Sequence, residues 1–327
     1  MKNKKIIIAG GTGFIGQEIC NYFGNENKIV ILTRQLPDQK TNAFGENSIN
    51  KAVLQNISYV KWDGITTGKW TETIEGSDIV INLTGKTVNC RYNEKNKKEI
   101  FDSRTNAVKA LGQAIQQATV PPKLWINAAS ATIYPHATDT PRDENFTDFV
   151  DGFSVQVCRL WEKTFYEQRT PFTRKVALRM AINLGAGGIM IPYFNLLKFG
   201  LGGRQGSGKQ MYSWVHVTDT CRMIAWIAEH AELEGTFNCV SPNAVTNDTF
   251  MKTLRQQTGY VIGLPAYRWM LAIGAKLIGT ETELILKSRW VLPTRILASG
   301  FTFKYPVLKD AFEEIISTTP RKRYHLF

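Results

Sequence analysis

Two kinds of hydrophobic pattern alternate along the chain. Short apolar runs recur at Lys5–Ala9, with isoleucine at 6, 7 and 8, and at Lys28–Thr33, Tyr59–Trp62, Asp78–Leu83, Leu124–Ala129 and Val176–Leu184. Each is short and rich in β-branched residues, and reads as a strand buried on both faces. Between them the apolar positions recur with helical spacing. Phe14–Phe23 is one such segment. In Asp102–Ala118, Val108, Leu111 and Ile115 fall at i, i+3 and i+7; in Ser154–Gln168, Val157, Leu160 and Trp161 share a face. Strands alternating with helices predict an α/β chain with a parallel sheet covered on both faces.

From Gly185 the alternation weakens. Eight glycines lie between Gly185 and Gly208, with no clear strand–helix pair, and this stretch reads as loops over a cleft. Val217–Glu229 returns to a helix with Cys221, Ile224 and Ala228 on one face, and Thr236–Val240 reads as a strand. Residues 247–319 are mostly helical, with Met270, Ile273 and Leu277 at helical spacing. The expected division is a sheet domain of residues 1–184 and 213–241. Residues 185–212 and 242–327 then form a smaller, mostly helical substrate or cap region.

Composition narrows the class. The 327 residues are 43% hydrophobic, 11% aromatic and 21% charged, which excludes a disordered or collagen-like chain. No apolar run reaches the roughly 18 residues of a membrane span, so no membrane partner is expected. The lysines before Ile6 resemble the start of a leader, but the apolar run breaks at Gly10, so the segment reads as a first strand. Five widely spaced cysteines without a CxxC pair fit free thiols in a reducing, cytoplasmic setting. The four histidines include no HExxH, and no metal is expected. The net charge is +12, and residues 251–327 hold 12 basic against 5 acidic side chains. The only dense cluster is Arg321-Lys322-Arg323, so the charge reads as a solvated basic face plus an anion-binding pocket. Nucleic acid is not the expected partner; a small-molecule substrate is, and oligomerisation stays open.

The strongest chemical signal is Gly10-Gly11-Thr12-Gly13-Phe14-Ile15-Gly16, set between a strand and a helix. Gly10 permits the tight turn, Gly13 lets backbone approach a pyrophosphate, and Gly16 lets helix and strand pack closely. The helix N-terminus offers unpaired N–H groups to phosphate. The turn therefore predicts dinucleotide binding and a Rossmann-type, doubly wound fold. The second strand ends at Arg34, where an NAD enzyme usually places an acid for the ribose hydroxyl. A guanidinium matches a 2′-phosphate instead, so NADP, with NADPH ahead of NADH, is the expected cofactor. Asp63, ending the third strand, is a candidate cap for the adenine amino group.

With that turn, the chain resembles the extended short-chain dehydrogenase/reductase superfamily, which includes sugar-nucleotide epimerases and dehydratases. Ala129-Ser130-Ala131-Thr132-Ile133-Tyr134 is similar to its fifth-strand motif, and Trp214-Val215-His216-Val217-Thr218-Asp219 to its late HV-x-D segment. More closely, the chain resembles an atypical, epimerase-like branch of unknown activity with a C-terminal domain of unknown function. The matching pieces are Asn82-Leu83-Thr84-Gly85, Arg91-Tyr92, Ser103-Arg104-Thr105, Val157-Cys158 with Trp161-Glu162, Gly206-Ser207-Gly208-Lys209-Gln210, and Gly300-Phe301-Thr302-Phe303. The resemblance implies that Thr12, Phe14, Ile15, Leu83, Thr84, Gly85 and Arg104 border the cofactor with the glycines, and that Ser130 helps polarise a substrate oxygen.

The usual Tyr-x-x-x-Lys pair is missing from its helix. Tyr305 and Lys309 are the only such spacing, 175 residues after Ser130, with Pro306 next to the tyrosine. Ser154 and Cys158 stand at the tyrosine and lysine positions, and Arg104 at that of the usual asparagine. Ser130, Arg104 and Cys158 are therefore the catalytic candidates. Each has a plainer reading: a strand-end serine bonding backbone, a surface ion pair, and a small buried residue. Arg91, Tyr134, Tyr212 and Trp214 are the substrate-side candidates, the aromatics being equally compatible with core. Lys86 stands where the branch usually has an acid. The expected function is NADP-dependent hydride transfer, of oxidoreductase or epimerase-like type, on a substrate the sequence does not identify, nucleotide-sugar-like compounds being one class. The alternative is a non-catalytic NADP(H)-binding redox sensor, which would need different affinities for the two cofactor states.

Overall fold

Three successive isoleucines at 6–8 are all fully buried, because the strand that carries them, β1 (Lys5–Ala9), lies inside a sheet covered on both faces. The computed structural model describes residues 1–37, 51–279, 281 and 283–325. After β1 come α1 (Phe14–Phe23), β2 (Lys28–Thr33), α2 (Lys51–Leu54), β3 (Ile57–Lys61), β4 (Ile79–Asn82), α3 (Glu94–Gln117), β5 (Leu124–Ser130) and α4 (Phe153–Tyr166). Next are β6 (Arg174–Met180), β7 (Ile182–Leu184), α5 (Met190–Lys198), β8 (Met211–Tyr212), β9 (Trp214–His216), α6 (Val217–Glu229), β10 (Gly235–Cys239) and β11 (Val245–Thr246). The chain closes with α7 (Asn247–Thr258), α8 (Arg268–Ile278), α9 (Glu283–Leu286), α10 (Thr294–Ala298) and α11 (Leu308–Thr318).

The main sheet has seven strands in the order β10-β6-β5-β4-β1-β2-β3, and every neighbouring pair is parallel. Strand alternation sorts its side chains into two layers. Ile6 and Ile8 pack with Ile19 and Cys20 of α1 and with Cys221 and Ile224 of α6. Ile7 and Ala9 face the opposite layer, with Val108, Leu111 and Ile115 of α3 and Trp161 and Phe165 of α4. Each such aliphatic side chain contributes about 1.5–3 kcal/mol on burial. The order reverses between β1 and β4, which opens a crevice at the carboxyl ends of those strands.

The structure departs from the sequence pattern in three places. The expected strand Val176–Leu184 is two strands: β6 stays in the main sheet, while β7 pairs with β9. α3 begins at Glu94 rather than Asp102, because the Asn93 side chain caps it by accepting from the Asn96 N–H at 2.8 Å. Its polar first turns carry little apolar periodicity to reveal them. The glycine-rich stretch, read as loops, contains α5, which buries Met190, Tyr193, Phe194 and Leu197 at i, i+3, i+4 and i+7. That face packs with Phe250 and Leu254 of α7 and Phe312 of α11 in a separate core. In the basic terminal stretch, Arg323 donates to the Ala186 carbonyl at 2.9 Å. Among the described residues no helix is long and apolar enough to cross a membrane.

Candidate active site

The glycine turn is shaped by what its missing side chains allow. Gly10 has φ of +78°, in the left-handed region, and a Cβ there would stand 3.1 Å from the Leu83 carbonyl carbon. A Cβ on Gly16 would fall 2.5 Å from the Gly11 Cα, so glycine is what allows α1 to approach the turn. Gly13 differs: its Cβ would meet only the Gly10 carbonyl oxygen, at 3.7 Å. Gly13 is also the N-cap of α1, with no side-chain cap and no acid in the first turn. A bare helix N-terminus with open space above it suits the two phosphates of a dinucleotide. The Thr12 carbonyl accepts from Gln17 Nε2 at 3.0 Å, fixing the turn to the helix. Ile15 is half-buried against the core beside the sheet. The Phe14 ring lies against a second glycine bend, where a Cβ on either Gly185 or Gly188 would come within 2.7 Å of it. Part of the glycine richness thus makes room for Phe14.

The strand ends beside this turn are held by side-chain amides. Asn82 Nδ2 donates to Asn127 Oδ1 at 2.7 Å, and Asn82 Oδ1 accepts from the Thr84 N–H at 3.1 Å and from its hydroxyl at 2.6 Å. The Leu83 N–H donates to the Ala9 carbonyl at 2.8 Å. Arg34 stands exposed just past β2, at the carboxyl edge of the sheet. Asp63 is occupied by its own loop: it accepts from the Ile65 and Thr66 N–H groups, both at 2.8 Å, and from the Thr66 hydroxyl at 2.6 Å. The Thr66 hydroxyl and these N–H groups hold its carboxyl below the usual range.

The opposite wall is built from α3, β5 and α4. Ser130 Oγ accepts from the Thr132 N–H at 3.2 Å, which leaves its own proton free to donate. Arg104 lies over the Trp161 ring at 5.0 Å and donates to the carbonyls of Ile100 and Lys86 at 3.0 and 3.1 Å. It is not a surface ion pair. Cys158 is buried with Ala131, Tyr134 and Val291. Burial, joined by the Glu162 charge, pushes its thiol up to about 12 against the opposing pull of Arg104, Arg289 and Arg179. At neutral pH it is a protonated thiol, not a base.

Three of the substrate-side candidates are buried, with their polar atoms bonded to the protein. Tyr134 is buried; its hydroxyl donates to Asn238 Oδ1 at 2.9 Å and accepts from Arg179 Nη1 at 2.9 Å. Tyr212 is buried, with its hydroxyl on the Ile285 carbonyl at 2.9 Å. Trp214 is fully buried and donates to the Asn243 carbonyl at 2.9 Å. Their polar atoms serve protein partners, as the core reading of these aromatics expects. Arg91 does face another region, pairing with Glu281 at 3.4 Å. Lys86 pairs with Glu99 and donates to Asn96 Oδ1 at 2.9 Å. Tyr305 packs at a 45° tilt on His216, with ring centres 4.2 Å apart, and its N–H donates to Asp219.

Sequence reasoning missed two residues beside this wall. Tyr92 packs on Phe153 at 4.7 Å and its phenol meets Ser154. Burial raises that phenol, so it stays protonated at neutral pH. Arg289 arrives from the segment after α9, held by its N–H on the Met211 carbonyl at 2.8 Å and by Ser213 Oγ on its carbonyl at 2.9 Å. Tyr92 belongs to the Arg91-Tyr92 piece of the resemblance but has no role assigned there, and Arg289 lies in none of those pieces.

Comparison with known proteins gives the family and the fold. Residues 6–239 match the model of the NAD dependent epimerase/dehydratase family, and residues 268–315 match a domain of unknown function, DUF1731. The epimerase family protein YfhF of Bacillus subtilis is 31% identical over 317 residues, covering 95% of this chain and 98% of that one. The epimerase family protein SH2119 of Staphylococcus haemolyticus is 31% identical over 322 residues, covering 96% and 99%. The crystal structure of the human epimerase family protein SDR39U1 (isoform 2) with NADPH superposes with a TM-score of 0.81 at 26% identity, covering 96% and 99%. By sequence, by fold and by the glycine turn that opens its first helix, the chain belongs to the NAD-dependent epimerase/dehydratase family.

Proposed function

We propose that the protein is an NADP-dependent oxidoreductase of epimerase-like type, acting at a carbonyl or alcohol carbon of a small molecule, with nucleotide-sugar-like compounds as the first class to screen. The observation that carries the reading is the uncapped N-terminus of α1 above Gly13, with exposed Arg34 at the end of the neighbouring strand. Gly10, Thr12, Gly13, Phe14, Ile15 and Gly16 would hold the dinucleotide on one side, and Leu83, Thr84, Gly85 and Arg104 would border it on the other. Arg34 would take the 2′-phosphate, which supports NADPH over NADH; that the similar human protein was crystallised with NADPH points the same way. Asp63, turned toward its own loop, has no part in this reading.

The cofactor, when bound, supplies a hydride acceptor and donor. The chain's own residues orient the substrate and handle the proton. Ser130 donates to the substrate oxygen through the proton its N-capping role leaves free. Tyr92, protonated and paired with Ser154, delivers a proton to that oxygen in the reducing direction. Cys158 stays inert beneath them. Residues 185–212 and 242–327 form the substrate side, as the separate core around α5, α7 and α11 supports. Membership of an enzyme family favours this reading over a redox sensor.

The test is titration of the purified protein with NADPH and with NADH, followed by nicotinamide fluorescence. NADPH binds more tightly, and Arg34→Ala weakens NADPH about 10- to 150-fold, the worth of one charge-assisted contact, while leaving NADH unchanged. Absence of binding by either nucleotide would sink the proposal.

A further inference from the structure

Exposed apolar side chains gather on one stretch of the C-terminal region. Val261 is 92% exposed and Ile262 72%, and Leu264, Tyr267 and Trp269 follow, each at least half exposed. Val261, Ile262 and Leu264 sit in the segment between α7 and α8; Trp269 and Ile273 lie one helical turn apart on α8, and both are exposed. Phe199, exposed at the end of α5, joins them through the backbone. The Leu264 N–H donates to the Gly200 carbonyl at 2.9 Å, and the Gly203 N–H to the Leu264 carbonyl at 3.1 Å. Singly exposed apolar residues are ordinary on a protein surface, but a continuous run of them marks a surface that meets something.

The charges along this run are of one sign. No aspartate or glutamate occurs between Asp248 and Glu281, while Lys252, Arg268 and Lys276 are exposed there. The Arg321–Arg323 turn adjoins the start of the run, with all three side chains exposed. Tyr260, the residue before Val261, fixes it there: its hydroxyl donates to the Tyr324 carbonyl at 3.0 Å, and its ring stacks on His325 at 4.6 Å. The two features together choose the occupant. Basic side chains call for diffuse negative charge, and aliphatic tips such as Val261 and Ile262 gain only from an apolar medium beside it. A nucleic acid supplies the first without the second. An anionic bilayer supplies both, and tryptophan and tyrosine suit the level between its headgroups and its chains.

We propose that the segment from Val261 to Ile273, with Phe199 and the Arg321–Arg323 turn, is a docking face for an anionic lipid bilayer. The protein lies on the surface and does not cross it. Val261, Ile262 and Trp269 enter the headgroup boundary, and the basic side chains meet the lipid headgroups. No spanning segment is needed for that. Neither signal suffices alone: shallow apolar insertion is weak and a basic cluster is screened by salt, so affinity comes from the pair. The face shares no residue with the glycine turn, so docking is independent of the nucleotide reading.

The test is co-sedimentation of the full chain with vesicles of phosphatidylcholine alone and of phosphatidylcholine with about one-third phosphatidylglycerol. The protein sediments with the anionic vesicles and not with the neutral ones, and raised salt releases it. Trp269→Ser weakens that binding about 10-fold, and the pair Val261→Ser and Ile262→Ser weakens it at least as much. Arg321→Gln and Lys322→Gln each weaken it about 5-fold. All are surface changes, so the melting temperatures stay at the parent's value. Equal binding to neutral and anionic vesicles, binding to neither, or equal binding by parent and variants overturns the docking face. So does a parent dimer that the Val261→Ser and Ile262→Ser pair dissociates, without vesicle binding, since the face would then belong to a second copy.

Discussion

The two walls of the cleft are made of different materials. The wall at α1 is backbone: a glycine turn whose working groups are N–H donors and whose essential side chains are the ones it lacks. The wall at α3 and α4 is side chain: Arg104 over the Trp161 ring, the buried Cys158 thiol, and Tyr92 packed on Phe153. The first needs no side chain to be ordered. The second depends on a buried polar frame behind it. Arg179 donates from Nε and Nη2 to the two Glu162 oxygens, both at 2.8 Å, and from Nη1 to the Tyr134 hydroxyl at 2.9 Å. Tyr134 passes the network to Asn238, whose Nδ2 donates to the Leu292 carbonyl at 2.9 Å. One wall is local in sequence, and the other is assembled across most of the chain.

That contrast is broken most directly at the frame. Glu162→Gln leaves Arg179 buried without its counter-ion and costs about 3–5 kcal/mol, read as a shift of the urea midpoint. Adding Arg179→Met recovers part of the loss. A cost below about 1 kcal/mol, the level of a surface pair, would show that the side-chain wall does not rest on this network. The backbone wall is probed by a pair of glycine variants. Gly16→Ala places a Cβ 2.5 Å from Gly11 and costs about 1–3 kcal/mol through overpacking. Gly13→Ala, with 3.7 Å of clearance, loses no more than about 1 kcal/mol but impairs nucleotide binding. Equal stability losses in the two would erase the difference between a packing glycine and a binding one.

The smallest effect lies away from both walls. Asp78, at the start of β4, accepts from Lys4 Nζ at 3.0 Å and from the Lys5 N–H at 2.9 Å. Partial burial pushes its carboxyl up, but these donors outweigh it and hold the group below 3.8. A carboxyl depressed in the folded state adds stability above its unfolded value of 3.8 and loses it as pH falls through the lower folded value. Asp78→Asn therefore costs roughly 1 kcal/mol or less at neutral pH and nothing in strong acid. Unfolding curves that stay apart at the acid end would mean that Asp78 acts through packing instead of charge.

The same division explains what the sequence could reveal. β1, β2 and α1 are legible because burial on both faces and a glycine turn write themselves into consecutive residues. α5 was hidden because flanking glycines outweigh its four apolar positions, and the break between β6 and β7 is set by pairing with β9, which no local pattern records. The glycine turn and Arg34 were readable as a nucleotide site because each follows directly from a strand. Arg289 and Tyr92 were not: Arg289 lies in none of the matching motifs, and the Arg91-Tyr92 piece does not by itself say what the tyrosine does. Tyr134, Tyr212 and Trp214 stayed open for the reverse reason: an aromatic residue near a motif looks the same whether it lines a cleft or supports it.

The contact between Phe14 and the bend at Gly185, Gly187 and Gly188 has a mechanical side. A flat ring against bare backbone is a joint without teeth: no methyl group has to climb over another for the two surfaces to slide. The Arg323 bond to the Ala186 carbonyl ties the same bend from the other end of the chain. Phe14 thus works as a bearing on which the bend rests, at the very point where the first helix begins.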